Sequence, residues 1–256
     1  MQSASPDTRK FFYEHLGLNE PLLERCLSAA LSAAGDYADL YFEYITASSL
    51  AVDESLVKSA SQGISAGCGL RVVSGERTGY AYTDDLSPER LLRAAHTAAL
   101  IASGPSKQQV QGFRESPSAG LYSVAAPGND AETAAKLALI QRADRAARAY
   151  DPRIVQVQAS FADELRRILV AGSDGSFATD TQPLARLNVS VIAKDGDNIA
   201  RGSSGGGGRV LLDFFLTDKT PEYFATEAAR QAVLQLGAVP APAGDMPVVL
   251  GHGWPG

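Results

Sequence analysis

Hydrolytic and metal-dependent chemistry needs clustered side chains, and the three histidines of this chain, His15, His96 and His252, stand far apart. None forms an H-x-x-x-H or H-E-x-x-H pair, and Cys26 and Cys68 form no C-x-x-C. His15 and His96 fall within helical patterns, where a solvent-facing or helix-end role suits them. The expectation is therefore a chain with no catalytic residue and no metal ligand of its own.

The other stretch with chemical potential is Arg201-Gly202-Ser203-Ser204-Gly205-Gly206-Gly207-Gly208-Arg209. A phosphate cradle would need a closing Gly-Lys-Ser/Thr and a helix directly after it, whereas Val210 to Phe215 reads as another extended segment. Two readings remain. One is a flexible surface loop. The other is a place where an absent Cβ lets a backbone come close, with Arg201 and Arg209 able to grip a carboxylate. On the second reading Arg201, Gly205, Gly206, Gly207, Gly208 and Arg209 are the candidate substrate-binding residues for an extended peptide, held by main-chain hydrogen bonds that ignore its side chains.

Elements to position such a site are legible from periodicity and caps. Asn19-Glu20-Pro21 opens a helix carrying Leu22, Leu23, Cys26, Leu27, Ala30 and Leu31, and Ser5-Pro6-Asp7 has the same form just before it. Alternation predicts strands over 38–44 and 64–72, and Ser74-Gly75-Glu76-Arg77 turns into a strand over 78–83. Ser87-Pro88-Glu89 caps a helix that ends before Gly104-Pro105. From 103 to 130 the composition shifts to Gly, Pro, Ser and Gln, which reads as a crossing segment or boundary.

Asp130 is expected to cap a helix running to Tyr150. Strands then dominate: 155–161, 165–171 after a turn at Ala162-Asp163-Glu164, and 184–193. A last helix starts at Thr220-Pro221-Glu222 and ends at Gly237. The fold class is α+β: two mixed helix/sheet units with mainly antiparallel strands, over 1–125 and 126–240. Residues 241–256 are expected to start a truncated C-terminal domain, because Met246-Pro247-Val248-Val249-Leu250 has strand character and runs into Gly251-His252-Gly253-Trp254-Pro255-Gly256.

Bulk properties limit the functions. Of the 256 residues 45% are hydrophobic and 20% charged, the balance of a globular chain, and the net charge of -6 lacks the basic surface that nucleic acid requires. Nothing resembles a signal peptide or an 18-residue apolar span, so no membrane is expected and the cytoplasm is the expected compartment. In such a compartment Cys26 and Cys68, one on a helix and one on a strand, read as packing residues rather than a disulfide.

Three stretches together, Gly35-Asp36-Tyr37-Ala38-Asp39-Leu40-Tyr41-Phe42, the glycine run from Arg201 to Arg209, and Met246 to Gly256, resemble the TldD/PmbA family of zinc metallopeptidases, on the side of its TldD branch. The likeness also takes in Gly69-Leu70-Arg71-Val72 and Ser74 to Tyr82. It implies a cytosolic peptidase acting on unfolded or flexible peptides, with a PmbA-type partner subunit or self-association. In that family a Gly-Trp-Pro-Gly stretch leads into a helix bearing H-E-x-x-x-H, and zinc is the cofactor of the complete protein. None of those ligands is matched here, so the resemblance implies a front portion with no zinc and no peptidase activity of its own; His252 is not promoted to a ligand. A non-enzymatic peptide-binding or assembly subunit is the alternative.

Overall fold

The computed structural model describes residues 8–103, 109–116, 132–217, 219–249 and 251. Two short helices, α1 (Thr8–His15) and α2 (Glu20–Ala30), precede the strands β1 (Tyr37–Asp53), β2 (Leu56–Ser74) and β3 (Arg77–Thr83), and α3 (Pro88–Ile101) follows them. After the two-residue β4 (Arg114–Glu115) come α4 (Thr133–Tyr150), β5 (Ile154–Gly172), β6 (Ser176–Asp195), β7 (Asn198–Gly208), α5 (Phe214–Thr217) and α6 (Pro221–Leu236). No described helix is long and apolar enough to cross a membrane.

The strands form one sheet in the order β3-β2-β1-β5-β6, with β7 and β4 both alongside β6. Every pairing is antiparallel except the short β4–β6 contact. Two similar units lie side by side within it. Each has a three-strand meander followed by a helix opened by Ser/Thr-Pro-Glu, and each closes its second hairpin on a glycine with φ 58°, Gly75 and Gly196. Left-handed backbone of this kind suits the tight two-residue turn that matches strand twist. The units join through β1 and β5, paired from Asp39–Gly172 to Asp53–Gln158, so both α+β units share a single sheet.

Side-chain parity shows where the core sits, since successive strand residues point to opposite faces. The buried residues of β1 are even-numbered (Ala38, Leu40, Phe42, Leu50, Val52), and those of β6 are odd-numbered (Phe177, Ala185, Leu187, Val189, Val191, Ala193). All of them face the helices. One apolar cluster gathers α1, α2 and α3 over one end of the sheet, and a second gathers α4, α5 and α6 over the other. Cys26 and Cys68 lie in the first cluster, on α2 and β2, where burial pushes the Cys26 thiol up to about 11 and raises that of Cys68 too.

The helix starts follow their caps. Asn19 Oδ1 accepts from the Leu22 N–H at 3.0 Å, with Pro21 in the first turn. Asn19→Ala should therefore cost about 1 kcal/mol, measured as a lower urea midpoint at unchanged slope. For α4 the helix begins at Thr133 after Glu132; Asp130 and Ser5-Pro6-Asp7 lie outside the described residues.

Several strand expectations need correction. The turn at Ala162-Asp163-Glu164 does not exist, because β5 runs through it: Asp163 points to the helix layer and pairs with Lys136 Nζ at 2.7 Å, while Glu164 meets Arg166 at 3.1 Å on the other face. Strand β1 continues past Tyr44 to a hairpin at Glu54-Ser55, and β2 begins at Leu56. The glycine run is a strand, not a loop, paired with β6 from Asn198 to Gly208. Of the segment Val210 to Phe215, expected to be extended, Phe214 and Phe215 instead begin α5, and Phe215 packs edge-on against Phe161. Val248 and Val249 carry no strand pairing and are exposed.

Candidate functional site

With every described helix on one face, the opposite face of the sheet is bare among the described residues. Register places its residues in rows. Asp53, Gln158, Ser190 and Ser203 form one row across β1, β5, β6 and β7; Ala51, Ser160, Asn188 and Gly205 form the next; Ser49, Ala162, Arg186 and Gly207 form a third, extended onto β2 by Ser61. Ala, Ser and Gly dominate these positions, so the floor is low and polar groups rise from it singly.

Two concavities lie on this floor. One of about 760 Å³ is lined by Asp53, Lys58, Gln158, Ser160, Asn188 and Gly205 among others, and one of about 610 Å³ by Ala47, Ser61, Gly63, Ala162 and Leu184 among others. Arg186 borders both. In the first, Gln156 and Gln158 donate to the two oxygens of Asp53 at 3.0 and 3.2 Å, and these bonds hold its carboxyl below the ordinary range. Arg186 Nε donates to Asn188 Oδ1 at 2.9 Å, which sets the orientation of an otherwise exposed guanidinium. Towards β3 the same face carries a paired charge group: Arg166 lies 3.4 Å from Glu43, and the Tyr41 hydroxyl donates to Glu43 at 2.9 Å. Burial, followed by that hydrogen bond, pushes the Tyr41 phenol up to about 12.

The arrangement suits holding a polymer rather than acid–base chemistry. It offers width, small side chains and scattered amides and hydroxyls. Gly63-Ile64-Ser65-Ala66-Gly67 and Gly202-Ser203-Ser204-Gly205-Gly206 have the G-x-S-x-G spacing, yet both lie within strands rather than at the strand-to-helix turn that exposes a nucleophile. Among the described residues no group of three His, Cys, Asp or Glu is placed to hold a metal ion.

The sequence-nominated residues divide by face. Gly205 lines the larger concavity, and Gly207 lies on the same bare face opposite Arg186. Gly206 and Gly208 are on the helix side, and a Cβ at Gly206 would come within 2.7 Å of the Phe224 ring. Arg201 is exposed on the bare face opposite Ile192, outside the lining of either concavity; Arg209 follows the end of β7, also outside it. His252 lies outside the described residues. Reading the sequence missed Asp53, Gln158, Arg186 and Asn188, which only strand register brings together.

Comparison with known proteins gives two family-model matches: residues 38–102 match PmbA/TldA metallopeptidase domain 1, and residues 126–236 match the PmbA/TldA metallopeptidase central domain. A metalloprotease TldD homolog of Haemophilus influenzae is 40% identical over 232 residues, which is 86% of this chain and 47% of the relative. A second TldD homolog, from Buchnera aphidicola subsp. Schizaphis graminum, is 33% identical over 237 residues, 90% of this chain and 49% of the relative. The chain thus spans about half the length of the curated relatives it matches. Two solved structures share the fold. A candidate modulator of DNA gyrase from Thermotoga maritima has a TM-score of 0.69 at 19% identity, covering 88% of this chain and 50% of that one. TldE from Thermococcus kodakarensis has a TM-score of 0.61 at 17% identity, covering 83% and 47%.

Proposed function

The chain belongs to the PmbA/TldD family of metallopeptidases, and from that membership we propose that it is the front portion of a TldD-type peptidase, supplying the surface along which an unfolded or flexible peptide lies. The observation that carries this reading is the bare face with its two concavities and low floor of Ser, Ala and Gly. A substrate accepted with varied sequence needs space for side chains and main-chain partners that do not discriminate among them. Gly205 and Gly207 keep the β7 side of that floor low.

Zinc is the metal we assign to the complete enzyme, where it would activate a water for attack on the amide. We assign that metal and the attacking water to the part of the relatives that this chain does not span; among the described residues no group of three His, Cys, Asp or Glu is placed to hold it. Peptide cleavage by this chain alone is accordingly not expected. A cytoplasmic location and assembly with a PmbA-type partner, or with a second copy, complete the reading.

The test is direct binding. A fluorescein-labelled, unstructured peptide should raise its anisotropy saturably with the 256-residue chain, and Ser160→Trp, which fills the larger concavity from its floor, should abolish the rise without lowering thermal stability. Replacing Gly206 or Gly207 would not isolate the site: a Cβ there meets Phe224 or, at 1.9 Å, the Ala185 carbonyl. Absence of binding, or binding indifferent to Ser160→Trp, would remove the bare face from the substrate path.

A further inference from the structure

We infer that the free edge of β2 over residues 59–67 takes an extended peptide as an added strand. This rests on the preceding reading of the chain as a peptide-holding surface. It names the source of the main-chain hydrogen bonds, because a sheet offers its backbone groups along its edges and only side chains on its faces.

Strand β2 has β1 along its length on one side, but β3 covers the other side only from Cys68 to Ser74. Before Cys68 no described strand pairs with that side, and residues 56–65 are all exposed. Every second N–H and C=O of 59–67 therefore points outward with no strand to meet it among the described residues. Sheets blunt such edges with charge, proline or a bulge. Lys58 and the register shift opposite it, between Ala51 and Val52, guard only the start of this one. The stretch Ser59-Ala60-Ser61-Gln62-Gly63-Ile64-Ser65-Ala66-Gly67 has none of these devices.

The surroundings of the edge suit a peptide of varied sequence. Side chains of an added strand alternate between the two faces of the sheet, and a concavity lies on each face at the middle of this slot. On the bare face the smaller concavity reaches Ser61 and Gly63. On the helix face another, of about 370 Å³, is lined by Ala60 and Gln62 together with Thr133 and Lys136 of α4. Apart from Gln62 and Ile64 the slot itself is Ser, Ala and Gly, so its backbone would pair without selecting side chains. Lys58, just before the slot, lines the larger concavity, which lets the same peptide continue onto the floor. A second copy fits worse. Antiparallel pairing of the whole slot with itself turns about Gly63 and sets Lys58 opposite the other copy's Cys68, where that copy's Thr83 already pairs.

Two fluorescein-labelled peptides of one short, unstructured, uncharged sequence test this: the plain peptide, and an analogue methylated on every backbone nitrogen, which can neither donate a hydrogen bond nor lie flat against a strand. Each is titrated by anisotropy against the 256-residue chain, and amide exchange of the chain is followed by NMR alone and with each peptide. The plain peptide should bind about tenfold or more tightly than the analogue, the scale of one or two net hydrogen bonds. In the free chain alternate residues of 59–67 should exchange fast; the plain peptide should slow them, and the analogue should not. Equal affinity of the two peptides, protection that falls on other strands or nowhere, or slow exchange throughout 59–67 in the free chain overturns the slot and leaves the floor to be judged by Ser160→Trp. Failure of the plain peptide to bind overturns the slot and the floor together.

Discussion

Lys136→Ala should destabilise the protein by about 3–5 kcal/mol, the range for removing one partner of a buried ion pair and leaving the other charge unpaired. Lys136 and Asp163 have side chains only 5% and 9% exposed, 2.7 Å apart, in the seam between the two apolar clusters. The contact is closed by Ser48: its hydroxyl donates to Asp163, and Lys136 Nζ donates to Ser48 Oγ at 2.8 Å. Helix α4 is thereby fixed to β1 and β5 at a point where neither cluster reaches. Asp163→Ala should cost as much by the same argument. The double replacement Lys136→Ala, Asp163→Ala should cost less than the sum, because no charge is then buried alone. Urea unfolding of the four proteins gives the coupling; additive losses would mean that the two groups do not depend on each other.

The same pair explains why part of the fold was illegible in the sequence. Asp163-Glu164 looked like a turn because two acidic residues interrupt an alternating strand, and nothing local says that one faces a lysine from the preceding helix and the other an arginine two residues on. A polar residue on a buried face becomes intelligible only with its partner. The glycine run failed differently: with no side chains to alternate, β7 has no periodicity, and its pairing is dictated by β6 and α6. The first half of β2 is exposed on both faces, so its Ser, Ala and Gln residues carry no burial pattern at all.

Legibility was best where the physics is local. Asn19, Ser87 and Thr220, each with proline following in the first turn, marked the three helix starts, and Gly75 marked a hairpin. The candidate site is the opposite case. Asp53, Gln158, Asn188 and Ser203 come from four strands spread over much of the chain, and their meeting depends on the register between β1 and β5. Gly205 and Gly207 were nominated for the missing Cβ, and both fall on the bare face. The sequence could not say that Gly202 and Gly206 face the other way.

That division leads to the second large effect. Gly202→Ala should cost about 3 kcal/mol, the upper end of ordinary overpacking, because the atoms in the way are backbone. A Cβ on Gly202 would lie 2.0 Å from the Ala228 carbonyl oxygen and 2.5 Å from the Ala232 nitrogen of α6. No rotamer change relieves such a contact; the helix must move off the sheet. Ala225, Ala228, Ala229 and Ala232 are fully buried beneath it, and Phe224 packs near Phe215, so the shift opens the second cluster along much of the length of α6. The first unit uses the same device, with Gly79 on β3 placed 2.0 Å, Cβ to oxygen, from Ala98 of α3. Gly79→Ala should therefore match the loss at Gly202, whereas Gly63→Ala, with nothing within 4 Å, should change stability by less than about 0.5 kcal/mol. Urea midpoints for the three variants decide it. If Gly202→Ala unfolds at the same urea concentration as Gly63→Ala, α6 does not rest on a strand stripped of side chains, and the glycines of β7 need another cause.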